Sequence, residues 1–168
     1  AGSVTAYKLA KEGLQVTVID RFDKGQATDA AAGIVCPWLS QRRNKDWYQL
    51  AKGGARYYPE IIEELRQDGE TETGYARVGA LSLHEDPKKL DAMLQRAEMR
   101  KTDAPEMGKI SFLNENEAKR LFPMLTEGYG AVHISGAARV DGRALRNALQ
   151  RAARKYNARF VSAEAQLS

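Results

Sequence analysis

Two small residues and one acid near the start of the chain have the types and spacing of a nucleotide-binding turn. Gly2 and Ser3 precede a helical pattern, and Asp20 ends the strand pattern that follows it. Free N–H groups at a helix start bind phosphate, and an acid ending the next strand accepts hydrogen bonds from ribose hydroxyls. These residues predict half of a dinucleotide site, with Gly2 as the third glycine of G-x-G-x-x-G, which lets helix and strand pack closely. The alternative is that Gly2 is only a small residue and Asp20 a turn former.

A helix and a strand must position these residues. The apolar residues between positions 4 and 10 lie mostly on one side of a helix, and Gly13 follows as a left-handed end residue. The nearly continuous apolar run over 14–19 is typical of a strand covered on both faces of a parallel sheet. The first strand and the first two glycines would lie before Ala1. We therefore expect the chain to be a piece of a longer protein.

A run of small residues over 27–33 is the second candidate for ligand contact. Small side chains let a backbone approach something flat or phosphorylated, but an alanine-rich helical turn has the same composition. Thr28 or Asp29 would cap such a turn, and Gly33 would end it. The apolar segment 34–39, broken by Pro37, is either a short strand or a lining segment.

The remaining patterns alternate between helix and strand. Four helices are predicted, each with a capping residue at its start: a long helix after Asn44 with a kink or break at Pro59, a helix after Asp86, a brief helix after Asn114, and a helix after Asp141. Strands are predicted over 75–84, 110–113, 129–134 and 137–140, and a last strand begins at Phe160. A turn at Ser135 and Gly136 joins the strands 129–134 and 137–140. This order predicts an α/β fold in which a dinucleotide-binding sheet is interrupted by a mixed α+β layer.

Composition excludes several classes of protein. The chain has 168 residues, 43% of them hydrophobic and 29% charged, with no apolar run long enough to span a membrane. The single cysteine, Cys36, rules out an internal disulfide and fits a reducing compartment, so we expect a cytoplasmic location. Two distant histidines, His84 and His133, and one cysteine form no metal-ligand spacing, and we interpret both histidines as structural or exposed.

The net charge of +4 favours anionic ligands without requiring nucleic acid. The last predicted helix carries a crowd of basic residues, namely Arg143, Arg146, Arg151, Arg154 and Lys155. These residues spread around the helix, and few aromatic residues lie among them. They form either a solvated helix face or a phosphate-binding stripe, and we expect no nucleic-acid partner.

Three segments resemble the D-amino-acid oxidase-like family of flavoproteins, in its glycine oxidase, sarcosine oxidase and D-amino-acid dehydrogenase branch. The segments are GSVTAYKLAKEGLQVTVIDR, GQATDAAAGIVCPW and ARVDGRALRNALQRAARKYNARF. The second is the most specific, because it is similar to the family segment G-x-x-T-S-x-x-x-A-G that runs beneath the flavin. The resemblance favours ligand contact over a plain helical turn for residues 27–33.

The resemblance implies FAD as cofactor, a small-molecule amine or amino acid as substrate, and oxidation of its C–N bond by hydride transfer to the flavin. By position, the implied cofactor-binding residues are Gly2 and Ser3 at the pyrophosphate, Asp20 at the AMP ribose, Arg21 over the adenine side, and Thr28, Ala32, Gly33 and Ile34 along the pyrophosphate and flavin. The implied fold is a partial Rossmann-like FAD-binding domain (1–44 and 141–168), lacking its first strand, with an inserted mixed α+β portion (45–140).

Two positions depart from the family pattern. Asp29 stands where the family usually has serine, and its carboxylate would repel a pyrophosphate unless it points away or is paired, for instance with Lys24. Asn157 replaces the usual glycine before Ala158, which is tolerable because asparagine enters the left-handed region. Some relatives attach flavin through a cysteine, but nothing local supports this for Cys36, which we interpret as a buried thiol.

The family's catalytic residues mostly lie in the C-terminal half, so we assign none and expect this chain alone to be inactive. Other hypotheses remain open: a flavoprotein of different chemistry, such as a polyol-phosphate dehydrogenase or an RNA-modifying flavin domain, or a non-catalytic nucleotide-binding or assembly module. A homo-oligomer is one state that the sequence allows.

Overall fold

A computed structural model describes residues 2–165 as alternating helices and strands. The helices are α1 (Gly2–Lys11), α2 (Ala27–Ala30), α3 (Lys45–Gln67), α4 (Pro87–Lys101), α5 (Glu115–Leu121) and α6 (Gly142–Lys155). The strands are β1 (Thr17–Asp20), β2 (Ile34–Val35), β3 (Ala76–Arg77), β4 (Ala80–His84), β5 (Ile110–Leu113), β6 (Gly130–Ile134), β7 (Ala138–Arg139) and β8 (Arg159–Ser162). Short 3₁₀ turns cover Pro37–Leu39 and Pro105–Met107. These elements confirm the predicted mixed α/β class.

The chain packs into two compact units. Within the described residues, unit 1 comprises 2–33, 59–75 and 140–165, and unit 2 comprises 34–58 and 76–139. The first break between the units lies at 33/34 in the chain, and the domain limits at 44/45 and 140/141 stay a prediction. Pro59 lies inside a continuous α3 rather than at a break between two helices, and residues 59–75 pack with unit 1. The predicted domain limits depend on chain order, which cannot reveal that an inner segment joins the first unit.

Unit 1 is built on a parallel pair of strands. β1 pairs with β8 from Thr17 opposite Arg159 to Asp20 opposite Ser162. α1 packs against α6, and alanines such as Ala10 and Ala152 are buried there, which lets the helix backbones approach closely. Within the described residues, Ile19 is 48% exposed on the face of β1 opposite the half-buried Val18.

Local end signals account for most of the helix boundaries. The side chains of Asn44, Asp86, Asn114 and Asp141 each accept a backbone N–H in the first turn of the following helix, at 2.9–3.0 Å. Asn114 also forms the reciprocal capping box with Glu117. These four predicted caps are confirmed, as are the left-handed conformations of Gly13 and Asn157.

Unit 2 contains two antiparallel three-stranded sheets, ordered β2-β7-β3 and β4-β6-β5. The predicted single strand over 75–84 is wrong, because the chain changes sheet at Gly79, whose φ is +75°. The predicted strands over 129–134 and 137–140 are confirmed as β6 and β7, with a turn at Ser135 and Gly136 between them. The two strands join different sheets, because β7 pairs with β2 and β3 while β6 lies between β4 and β5. α4 packs against the second sheet, with Leu90 and Met93 in the core.

None of the helices within residues 2–165 combines the length and the apolar content that crossing a membrane requires.

Candidate functional site

The start of α1 suits an anionic ligand. Its first turn holds no acidic residue, and its last turn carries Lys8 and Lys11, so the charges agree with the helix dipole. A Cβ built on Gly2 would meet no atom within 4 Å, so the side of the helix at Gly2 is open. Ser3 is half-buried on the same turn.

The end of β1 carries the predicted ribose acid. Asp20 is exposed, and its Oδ1 accepts the backbone N–H of Phe22 at 2.7 Å, which stabilises Phe22 at a φ of +56°. Arg21 forms ion pairs with Asp23 at 2.8 Å and Glu164 at 3.0 Å. More than half of each of these three side chains is exposed, so the two pairs add little stability. Asp20 thus has a turn-forming role that uses only one of its two carboxylate oxygens.

Segment 26–33, which contains the small-residue run 27–33, contacts residues at the start of α6 and just before it. The α2 turn begins after Gln26 without a side-chain cap, so the predicted caps Thr28 and Asp29 are wrong. A Cβ on Gly142 would overlap the carbonyl oxygen of Thr28, which shows how closely the two chains approach. The Gly33 carbonyl accepts the Val140 N–H at 2.8 Å. Ala32, between these attachments, is exposed.

Asp29 is paired, but not with Lys24. Its Oδ1 lies 2.6 Å from Nη1 of Arg146, and the same Nη1 donates to Oε1 of Gln26 at 2.6 Å. Other basic residues of α6 likewise bind this chain's own groups, since Arg151 and Lys155 both pair with Glu70. The basic residues of α6 are therefore neither a purely solvated face nor a phosphate-binding stripe. The sequence did not predict these ion pairs, because the two members of each pair are distant in the chain.

Topology brings most of the predicted residues to one end of unit 1. In a parallel pair, the carboxyl ends of β1 and β8 lie at the same edge. α1 leads into β1 and α6 leads into β8 through short connections, so each helix begins near the edge where its strand ends. That edge therefore gathers the α1 start, Asp20 and the segment held by α6. Ile34 is the exception, because it opens β2 in unit 2 and is 72% exposed.

The two histidines lie in unit 2. Nδ1 of His84 accepts the backbone N–H of Asp86 at 2.9 Å, which is a structural role. His133 lines a cavity of about 410 Å³ together with apolar residues that include Val78 and Phe122. Within the described residues, no three His, Cys, Asp or Glu side chains are grouped so that they could hold a metal ion. No local sequence pattern indicates this cavity, because residues from three separate segments line it.

Cys36 should be a poor nucleophile. Burial raises the pKa of its thiol to about 11, although the Leu39 backbone N–H partly offsets this. At pH 8 the thiolate population is then roughly a hundredfold smaller than for a thiol of ordinary pKa 9.0. Iodoacetamide should label Cys36 of the native protein at least tenfold more slowly than in urea, as followed by mass spectrometry of its peptide. The structure shows Cys36 half-buried and not fully buried as interpreted from the sequence, and equal rates would contradict a shielded, protonated thiol.

Both the sequence and the fold of this chain are similar to those of known proteins. The family model described as FAD dependent oxidoreductase (DAO) matches residues 1–167. A Bacillus subtilis (strain 168) protein, Uncharacterized oxidoreductase YurR, is 63% identical over 99% of this chain and 45% of its own length. Among solved structures, iminodiacetate oxidase (IdaA) from Chelativorans sp. BNC1 is 50% identical with a TM-score of 0.91, over 95% of this chain and 43% of its own.

Glycine oxidase from Bacillus cereus ATCC 14579 shares the fold, with a TM-score of 0.78 at 22% identity over 95% of this chain and 44% of its own. The chain thus spans less than half the length of these relatives. Because the family match extends over almost every residue, the chain belongs to the DAO family of FAD-dependent oxidoreductases.

Proposed function

We propose that this chain is the N-terminal portion of an FAD-dependent oxidoreductase that oxidises the C–N bond of an amino acid or related amine. The observation that carries the proposal is the 50% identity to an iminodiacetate oxidase over 95% of the chain. Iminodiacetate is a secondary amine that bears two carboxylates, so its oxidation falls within this reaction class. Unit 1 would hold the cofactor, and unit 2 would contribute to the substrate side.

The residues at the edge of unit 1 fit FAD. The diphosphate is an anion, and the α1 start offers N–H groups without a nearby acid in its first turn. Gly2 and Ser3 would approach the diphosphate, and Oδ2 of Asp20 would accept the ribose hydroxyls while Oδ1 holds the Phe22 turn. When bound, the flavin supplies a hydride acceptor, so that the amine becomes an imine that water hydrolyses.

This chain's own residues would bind and orient the cofactor. Arg21, fixed by two surface carboxylates, would lie on the adenine side. Thr28 and Gly33 fix the backbone of segment 26–33, which leaves the small side chain of Ala32 to face the ligand. Ile34 belongs to unit 2, so a flavin contact for it is proposed on the family resemblance alone. We further propose a cytoplasmic location, because Cys36 is a free thiol.

Anaerobic mixing tests the reaction class without knowledge of the electron acceptor. The whole FAD-loaded protein would be mixed with iminodiacetate, glycine, sarcosine, D-amino acids or glycerol phosphate, and loss of the oxidised flavin absorbance followed. We expect at least one amine to reduce the flavin and glycerol phosphate to leave it oxidised. Reduction by glycerol phosphate alone, or by none of the amines, would refute amine oxidation.

The role of Asp20 is separable from its turn. An Asp20→Asn variant keeps Oδ1 as an acceptor for the Phe22 N–H but loses the charge and the second acceptor oxygen. We expect its affinity for FAD to fall about tenfold, since hydrogen bonds to charged groups contribute about 1.5–3 kcal/mol. Titration of the apoprotein with FAD measures this, with Asp91→Asn, an exposed change on α4, as the matched control. Equal affinities of the two variants would exclude a ribose contact.

A further inference from the structure

Arg146 connects two parts of the proposed cofactor site. Its Nη1 lies 2.6 Å from both Oδ1 of Asp29 and Oε1 of Gln26, and these residues bracket the first turn of segment 26–33. The side chains of Arg146 and Asp29 are only 23% and 31% exposed, so solvent screens this pair less than the surface pairs of Arg21.

The negative charge of Asp29, the ion-pair partner of Arg146, would oppose binding of an anion unless it is neutralised. A carboxylate in the segment proposed to line the diphosphate would repel that anion, and such repulsion costs roughly tenfold in affinity when the charges are close and partly buried. The Arg146 guanidinium balances the Asp29 charge from the side of α6. The same contact also fixes the direction in which the Asp29 carboxylate points.

The contact adds a third attachment to the segment. Thr28 packs against Gly142, and Gly33 bonds to Val140, so both existing attachments involve backbone at the start of α6. Arg146 lies one helical turn further along α6 and is the side-chain attachment. Together the three hold residues 26–33 along the first turns of one helix.

We infer that Arg146 is a positioning residue for the cofactor-lining segment 26–33, which it serves by neutralising Asp29 and holding the α2 turn on α6. This inference rests on the proposed function, because it concerns the affinity for FAD. It does not require Arg146 to touch the cofactor.

A double-mutant cycle in the whole protein tests the inference. FAD dissociation constants would be measured by flavin fluorescence during titration of the apoprotein of wild type, Arg146→Met, Asp29→Ser and the double variant. Arg146→Met should weaken binding about tenfold, because it exposes the diphosphate to an unbalanced carboxylate. Asp29→Ser should bind within about threefold of wild type, and the double variant should recover to within about threefold of Asp29→Ser.

A matched control and a second readout distinguish an effect of the Asp29 charge on FAD affinity from an effect of the substitution on folding. Arg143→Met removes the same charge from an exposed position of α6 and should leave the affinity unchanged. The affinity lost in Arg146→Met should shrink as salt is raised, since screening weakens the repulsion. A purely structural role of Arg146 predicts no rescue by Asp29→Ser and no such salt dependence.

The possible results distinguish failure of the proposed function from failure of the inference about Arg146. A wild-type protein that binds no FAD overturns the proposed function and this inference together. If wild type binds FAD but Arg146→Met matches Arg143→Met, only the role of Arg146 is overturned. A double variant as weak as Arg146→Met also overturns it, because Arg146 then does not act through the Asp29 charge.

Discussion

Replacing Gly33 by alanine should lower the free energy of unfolding of the protein by about 3 kcal/mol and weaken FAD binding at least tenfold. Gly33 has a φ of +71°, and a Cβ there would overlap the carbonyl oxygen of Val140. Both groups are backbone, so neither can move aside by changing rotamer. The chain would have to break the bond from the Val140 N–H to Gly33 and shift the segment that ends there.

Gly25→Ala is the matched control for this prediction. Gly25 has a similar φ of +82°, but a Cβ there would meet nothing within 4 Å. The free energy of unfolding of its alanine variant should therefore fall by only about 1 kcal/mol, which is the cost of the left-handed conformation alone. Urea unfolding and FAD titration of both variants measure the difference. If the two variants lose equal stability, the close approach of Gly33 to Val140 is not what requires glycine.

Asp68 should be the most sensitive polar residue of unit 1. Its carboxylate accepts the hydroxyl of buried Tyr7 at 2.5 Å, the hydroxyl of Tyr156 at 2.8 Å and the ammonium of Lys11 at 3.2 Å. These bonds join α1, the end of α3 and the end of α6. Asp68→Ala would leave the buried Tyr7 hydroxyl without this acceptor, so we expect a loss of about 3 kcal/mol in urea unfolding.

Tyr7→Phe is the milder comparison. It removes one donor and leaves Asp68 with Tyr156 and Lys11, so the expected loss is about 1 kcal/mol. A Tyr7→Phe variant that lost as much stability as Asp68→Ala would show that the tyrosine hydroxyl, and not the shared carboxylate, holds the three helices together.

The contribution of Asp68 to the free energy of unfolding should decrease as the pH falls. Burial alone would raise the pKa of its carboxyl, but the hydrogen bonds from Tyr7, Tyr156 and Lys11 outweigh burial and lower it below 3.8. A carboxyl whose pKa is lowered by folding stabilises the protein above its unfolded pKa, and this stabilisation is lost as the pH falls through the folded value. The stability difference between wild type and Asp68→Ala should therefore be full at pH 7 and shrink below pH 3.8. A difference that grew on acidification would contradict this sign.

The sequence predicted those features that neighbouring residues determine. The caps at Asn114 and Asp141 lie within three residues of the N–H groups that they accept, so a local pattern identifies them. The left-handed Asn157 is equally local, because it follows from the end of one helix. The βαβ-like opening was predicted for the same reason, since α1 and β1 follow one another directly.

Features that depend on distant partners were missed. The pair of Asp29 with Arg146 joins residues 117 positions apart, and the nearby Lys24 was the only partner that local reasoning could name. Strand alternation continued through Gly79, and nothing in the pattern showed that the two halves of 75–84 join different sheets. Likewise, the turn at Ser135 and Gly136 resembled a hairpin turn, although β7 finds its partners in β2 and β3.

We propose that unit 1 holds the ADP half of FAD, with the diphosphate at the α1 start and the ribose at Asp20. Calorimetric titration of the whole apoprotein with FAD, in the absence and presence of ADP, tests this claim most directly. We expect one FAD per chain, with ADP competing for the same site and riboflavin failing to compete. Binding that riboflavin blocks and ADP leaves unchanged, or an apoprotein that takes up no FAD, would contradict it.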